Sequence, residues 1–352
     1  MSGKVSVAVI GCGNIGKVHA ERYTQCPQTD LAWLVDVDAE KARKLAGQLH
    51  VPHAGTNYGE MLKDPGVQAV SVCLPNDLHC PVTLECLRAG KHVLCEKPIA
   101  LNSEEAERMR SAARKADRVL AIGVVNRFNT YVNLARQSIA AGDLGELYHV
   151  NFVFKAYRSI PGLGGWFTTK RRAGGGVMID WGIHFLDLAL YCAGFPTPRK
   201  VSGVAHSRLG RSLTEYAYLS MWAGPPDYSG VCDVEEYVSG LIRTSGPSFS
   251  FEGAWAQNVD APAMFIDFVG DKGGIRLNYG QTFTLYSFKE GALLETKPQK
   301  APDDMFLSEV ESFADCCLHK KESPAHIDSV IVSQRVIDGF YASAASGKEQ
   351  EL

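Results

Sequence analysis

From residue 5 the chain repeats an alternation: a short run of β-branched and apolar residues, then a longer stretch whose apolar positions recur every three or four residues. The runs are VSVAVIG, DLAWLVDVD, QAVSVCLP, HVLCE and VLAIGVV, and the helical stretches between them fall at 15–25, 39–49, 78–89 and 103–117. Short apolar runs separated by helices build βαβ units and a parallel sheet. Right-handed crossovers then wind those helices onto both faces. The expected fold class for this part is α/β with a doubly wound parallel sheet.

After Asn126 the pattern changes. One helix at about 130–141 precedes longer strand-like runs at 145–157, 201–209, 216–222, 231–244, 248–257, 264–269, 274–278 and 282–288. Turn residues, not helices, separate most of them, which points to a mainly antiparallel sheet. A helix from about 177 to 192 interrupts the series, and two more close the chain near 304–319 and 326–346. The Gly-rich stretch 158–176 and the Pro/Gly-rich stretch 223–230 read as loops. The division expected is a first domain over 1–124 and a second over 125–352, with the last helix free to pack back on the first.

Composition narrows the function classes. A chain of 352 residues is long enough for two cores, and its formal charge of −3 gives no general attraction for nucleic acid or an anionic membrane. No apolar run approaches the ~20 residues of a membrane span, and MSGKVSVAVIG enters a strand without a signal-peptide pattern. A cytoplasmic protein acting on a small molecule is expected. Ten cysteines are present, with no C-x-x-C pair or Cys/His zinc pattern, so they read as reduced thiols and no metal site is assigned.

Chemistry enters at three places. Gly11, Gly13 and Gly16 stand in G-x-G-x-x-G spacing between a strand and a helix, with Asn14 and Ile15 in the same turn. Gly11 permits the tight turn, Gly13 lets backbone approach a pyrophosphate, and Gly16 allows helix to pack on strand. The helix N-terminus would hold the phosphates. Asp36 ends the second strand, where a carboxylate accepts from a ribose 2′-hydroxyl and repels a 2′-phosphate. NAD is therefore expected in preference to NADP.

The second place is HVLCEKPIA, which ends a strand with Glu96, Lys97 and Pro98. Ligands of doubly wound sheets sit outside the carboxyl ends of the strands, so Lys97 falls near the reactive end of a cofactor. A proline in such a turn also admits a cis bond. The third is GGGVMIDWGIHFLD, residues 174–187, in which Asp180 and His184 stand at i and i+4 on one helical face. An imidazole beside a carboxylate can move protons near neutral pH. An isolated pair at this spacing is more often structural, and only the two sites ahead of it turn the balance toward catalysis. In the loop before it, Trp166 could pack on nicotinamide or a sugar face, and Lys170, Arg171 and Arg172 read equally as anion ligands or solvated charges. Trp181 reads equally as pocket or core, Asp187 as structural, and nothing separates the two readings for Tyr279 and Tyr286.

The combination GCGNIG, PNDLH at 75–79, CEKP and GGGxxxDxGxHxxD, in this order, resembles the Gfo/Idh/MocA oxidoreductases. The similarity extends to NRFN at 126–129, FVGDKGGIRL at 268–277 and VIDGFYASAASGK at 336–348. The resemblance implies a Rossmann domain followed by an α/β domain with an open, mostly antiparallel sheet that commonly forms a homodimer or homotetramer interface. It implies that Lys97 touches both the nicotinamide ribose and the substrate, and that Asp180 and His184 are the acid and histidine of the catalytic helix. Pro75, Asn76, His79 and Glu96 would lie along the cofactor, and Arg127 would reach nicotinamide and substrate. Trp166 and Trp181 are added as candidate substrate contacts. The reaction expected is oxidation of a secondary hydroxyl of a sugar or inositol-like polyol. The same residues admit a keto-sugar or keto-inositol reductase, an NAD-dependent glycosidase, and a cofactor-binding regulator without catalysis.

Overall fold

The computed structural model describes residues 3–301 and 303–352. Its contacts divide the chain into two compact units, 1–128 with 303–331 and 129–302 with 332–352.

The first unit holds a six-stranded parallel sheet made of β1 (Val5–Ile10), β2 (Thr29–Val35), β3 (His53–Gly55), β4 (Ala69–Val72), β5 (His92–Glu96) and β6 (Leu120–Gly123). Its order is β3-β2-β1-β4-β5-β6. Along β1 the side chains divide between two cores. Val5, Val7 and Val9 pack with Tyr23 and Phe313, while Ala8 and Ile10 pack with Cys80, Cys86 and Met109. Burial on both faces is why these strands are continuously apolar, each fully buried Val or Ile contributing about 1.5–3 kcal/mol. The strand order reverses at β1, between β2 and β4, and this switch point is where such sheets bind dinucleotides. β3 is a short edge strand that carries no apolar run of its own.

The second unit is built on a nine-stranded sheet. Its strands are β7 (Leu147–Lys155), β8 (Pro198–His206), β9 (Tyr237–Thr244), β10 (Ser248–Ala254), β11 (Ala263–Gly270), β12 (Gly274–Asn278), β13 (Phe283–Lys289), β14 (Ala292–Thr296) and β15 (Gln350–Glu351). The order is β14-β13-β12-β11-β7-β10-β9-β8-β15, antiparallel except between β7 and β10. One face carries Val150, Phe152, Phe154, Phe249, Phe251 and Phe268 into a core with the helices Thr130–Ala141 and Ile183–Cys192 and with Val336, Ile337 and Phe340 of the helix Ile327–Ser346. The other carries a polar ladder, His149 bridging Ser248 and Ser250, and Lys155 paired with Glu252 at 2.9 Å. That one-sided burial produces the alternating texture of the sequence.

Several expected strands shift. Residues 216–222 form turns and irregular chain, and the run expected from 231 becomes a strand only at Tyr237. The reason is visible at Asp233, Glu235 and Glu236, whose carboxylates take backbone N–H groups of other segments and end the regular ladder. The expected helix over 177–192 starts as a wide π-turn, Met178–Gly182, before the regular helix Ile183–Cys192. All ten cysteines are free thiols. Among the described residues no helix is long and apolar enough to cross a membrane.

Candidate active site

The first unit supplies a cradle for a dinucleotide. Gly11 has φ +95°, a left-handed conformation that glycine adopts without steric cost, and a Cβ there would overlap the Cys73 carbonyl. A Cβ on Gly16 would overlap the carbonyl of Gly11, so the helix Asn14–Gln25 can start this close to β1 only with glycine. Gly13 differs: no atom of the described residues lies within 4 Å of its would-be Cβ, and as N-cap it places no side chain over the first N–H groups. Gly13 and Asn14 are exposed and Ile15 is half-buried. An uncapped helix N-terminus behind bare backbone suits a pyrophosphate.

Asp36 follows β2 directly. Its Oδ2 accepts from the Cys12 amide at 2.7 Å and its Oδ1 from the Asp38 amide at 2.9 Å. The carboxylate is thus fixed beside the glycine turn, and its remaining lone pairs can accept ribose hydroxyls. Pro75 and the buried Asn76 open the helix Asn76–Arg88 after β4.

His79 is fully buried, and its two ring nitrogens face carbonyls of the chain, Pro98 at 2.6 Å and Leu74 at 2.8 Å. Burial lowers its pKa despite both carbonyls. The ring therefore braces the backbone at the ends of β4 and β5. Glu96 is also buried: Oε1 lies 3.0 Å from His19 Nε2, and Oε2 accepts the Lys97 amide at 3.1 Å. Lys97 itself is half-buried, and its bond to Pro98 is cis. Arg127, 1% exposed, directs Nη1 to the Pro324 carbonyl and the Ser329 hydroxyl.

The second unit supplies the Asp180/His184 platform. Gly174 turns the chain with φ +87°. A Cβ on Gly175 would overlap the Tyr341 hydroxyl, and one on Gly176 the Glu235 carbonyl. The glycines are therefore packing requirements. Glu235, itself buried, accepts the amides of Gly176 at 2.9 Å and Met178 at 3.1 Å and the Tyr341 hydroxyl at 2.8 Å. Burial outweighs these three bonds and raises the Glu235 pKa, while burial beside Glu235 raises that of Tyr341. A carboxyl thus caps the N-terminus of the turn that carries Asp180.

Asp180 is 5% exposed, inside the π-turn, and His184 is half-buried one turn on. Widened turns of this kind occur often at functional sites. The His184 ring lies 6.3 Å from that of Tyr279, which stacks on Phe185 at 4.6 Å. Trp181 is half-buried against the core. Trp166 stacks on Phe167 at 3.8 Å, and Phe167 meets Trp222 edge-on, so Trp166 belongs to an aromatic cluster of its own loop. Asp187 is buried with Ser333 at 3.4 Å. Glu235, Tyr341, His19 and Glu309 carry no local motif, and only their distant chain partners reveal them.

Comparison with known proteins follows the same two-part division. Residues 5–124 match the oxidoreductase family with an NAD-binding Rossmann fold, and residues 132–276 match the GFO/IDH/MocA C-terminal domain. D-glucoside 3-dehydrogenase of Escherichia coli K12 is 32% identical over 355 aligned positions, covering 100% of this chain and 98% of that protein. The chain belongs to the Gfo/Idh/MocA oxidoreductase family. Myo-inositol 2-dehydrogenase of Thermotoga maritima is also 32% identical, over 53% of this chain and 54% of that protein. The solved aldose-aldose oxidoreductase of Caulobacter crescentus, complexed with glycerol, superposes with a TM-score of 0.84 at 25% identity, covering 99% of this chain and 100% of that one. An NAD-binding oxidoreductase of this family needs a dinucleotide cradle and a proton-handling group, and the chain carries residues suited to both.

Proposed function

We propose that this oxidoreductase oxidises a secondary hydroxyl of a sugar or cyclic polyol with NAD, with D-glucosides as the first substrates to test. The observation that carries the reading is the capped π-turn holding Asp180, with His184 in the helix that follows it, in a chain whose other unit has an open glycine cradle and Asp36. Similarity to D-glucoside 3-dehydrogenase across the whole chain supports glucosides over inositols, since the inositol relative matches about half. Asp36 supports NAD over NADP by charge.

Bound NAD supplies the hydride acceptor, which no side chain can provide. The residues of the chain divide the remaining work. His184 takes the hydroxyl proton as general base, and the Lys97 ammonium stabilises the developing alkoxide. Asp180 orients the substrate and favours the charged forms of its basic neighbours. Arg127, Trp166 and Trp181 remain the proposed further substrate contacts, and Pro75, Asn76, His79 and Glu96 line or brace the cofactor side. A second copy of the chain is proposed to cover the helix-free face of the nine-stranded sheet, where Val204, Tyr286 and Phe288 are exposed beside the polar ladder. A cytoplasmic site of action fits the NAD requirement.

The test is reduction of NAD and of NADP by the purified protein against glucosides, aldoses, inositols and sugar acids. Turnover of glucosides with NAD is expected. No NADH from any member, with keto-sugars reduced instead, would reverse the direction. Sugar release without net NADH would replace the reading with a glycosidase.

A further inference from the structure

Behind Lys97 in the first unit lies a cluster of buried ionisable side chains. His19 is 0%, Glu309 1% and Glu96 6% exposed, and one ligand-type atom from each lies within 4.8 Å of the others. His19 Nε2 is 3.0 Å from Glu96 Oε1 and 3.9 Å from Glu309 Oε2. His19 Nδ1 faces the Ser71 hydroxyl at 3.2 Å, which also meets Tyr23 Oη at 2.8 Å. Among the described residues, neither oxygen of Glu309 has a hydrogen-bond partner.

The glutamate comes from far along the chain. It sits on the helix Met305–His319, whose Val310, Phe313 and Ala314 bury against β1 and its helix. Asp304, the N-cap of that helix, is tied to Arg22 at 2.7 Å. A buried carboxyl without a partner costs stability unless something compensates. Its retention at this spot calls for a local task.

We propose that Glu309, acting through His19 and Glu96, is a positioning residue for Lys97. The chain of contacts is short. Glu96 Oε2 accepts the Lys97 amide, so the orientation of this one carboxyl fixes the first backbone atom of the lysine. Its other oxygen is held by His19, and the His19 ring is held edge-on between Tyr23 and Phe306, with centroid separations of 6.4 Å to each. Glu309 closes the cluster beside the same ring nitrogen. Two carboxylates this close cannot both ionise in an apolar core, and burial together with the Glu96 charge pushes the Glu309 pKa well up. Glu309 therefore presents a carboxylic acid. The carboxyl sits 3.9 Å from the same His19 nitrogen that meets Glu96 and within 4.8 Å of the Glu96 oxygen, so it confines the His19–Glu96 pair from that side.

Three such groups could also hold a cation. The 3.0 Å separation of His19 and Glu96 is that of a direct hydrogen bond, whereas two ligands of a tetrahedral zinc stand about 3.4 Å apart. His19 and Glu96 meet directly, by a hydrogen bond.

The inference rests on Lys97 acting in the proposed reaction, so its test has a readout that needs no substrate. Hydrogen exchange of the Lys97 amide is followed in the resting protein, for wild type, Glu309→Ala, Glu309→Asp and Glu309→Gln. Glu309→Ala is expected to speed that exchange about tenfold. Turnover should fall about tenfold with KM and the NAD affinity within about twofold, as for a slightly misplaced group. Glu309→Gln, with the shape and a donor of the acid, should recover most of both losses. Should Glu309→Ala not fold, Glu309→Asp, one methylene short, must show the same changes at smaller size. Lys97 exchange unchanged in the folded variants overturns the proposal. So does wild-type protein that loses Lys97 protection with a chelator and regains it with Zn2+, which would make the cluster a metal site. A wild type inert toward every sugar would fail the functional reading while the exchange result still stands or falls alone.

Discussion

Two glycine-rich turns open helices in this chain, and they are put to opposite uses. At Gly11–Gly16 the helix N-terminus has no side-chain cap, and the space beside Gly13 is clear to 4 Å. At Gly174–Gly176 the protein plugs the equivalent position itself, with the Glu235 carboxyl on two amides and the Tyr341 hydroxyl behind it. Both turns have the same electrostatics, a cluster of N–H groups that favours a negative partner. Where the partner is left to a ligand, the turn is a binding site. Where a side chain supplies it, the turn becomes a fixed platform, and the chemistry moves to the residues it presents.

The sharpest break between the two comes from His184→Ala. Removing the proposed base should lower turnover by about 10²-fold or more while leaving the NAD affinity at its wild-type value. Steady-state rates beside a direct NAD titration measure both, and unchanged turnover would take His184 out of the role. Next in size is a glycine pair. Gly176→Ala drives a methyl into the Glu235 backbone and should cost about 3 kcal/mol in urea unfolding. Gly13→Ala meets no atom, so its stability should stay within about 0.5 kcal/mol of wild type. Its loss should appear in NAD affinity instead. Equal destabilisation of the two would erase the distinction drawn between an open turn and a plugged one.

The same contrast explains what could be read from the sequence. The cradle is local: three glycines, a strand, a helix and Asp36 fall within thirty-odd residues, and each imposes its requirement on its neighbours. Its strands were legible because burial on both faces leaves continuous apolar runs. The platform is not local. GGG announces close packing but does not say against what, and the answers are Glu235 and Tyr341, roughly sixty and a hundred and sixty residues on. The π-turn was illegible for the same reason, because a helical pattern of spacing 3.6 tolerates one wide turn. His79 and Glu96 are expected along the cofactor, and they contact the chain's own backbone and His19. Such bracing leaves no spacing signal.

A smaller effect tests the open turn alone. Asp36→Asn keeps one of the two amide contacts, at Cys12 or at Asp38, and removes the charge that repels a 2′-phosphate. The NAD affinity should drop by about tenfold, and the ratio of NAD to NADP affinity should fall with it. A variant that discriminates as before would put the ribose contact elsewhere.

The smallest expected effect is a pH dependence of the plugged turn. Glu235 has a folded-state pKa above its ordinary value near 4.5, so between the two the folded chain holds a proton that the unfolded chain has released. Its contribution to stability is complete below pH 4.5 and is lost as pH rises through the folded pKa, at about 1.4 kcal/mol for each unit of separation. His92 works in the other direction: burial lowers its pKa from 6.5 to about 4, and its contribution is lost as pH falls through that interval. Comparing wild type with Glu235→Gln cancels His92 and isolates the carboxyl. Glutamine forfeits acceptor geometry at Gly176 or Met178 at every pH, which lowers the whole curve by about 1 kcal/mol. Against that constant offset, urea unfolding at pH 5 and pH 8 should show wild type losing stability relative to the variant as pH rises. A gap unchanged between pH 5 and pH 8 would mean that the three hydrogen bonds offset burial, because a carboxylate held at or below 4.5 has its full contribution in place over that range. Glu235 would then be a standing carboxylate, and the plugged turn would hold a full negative charge where the open one awaits a phosphate.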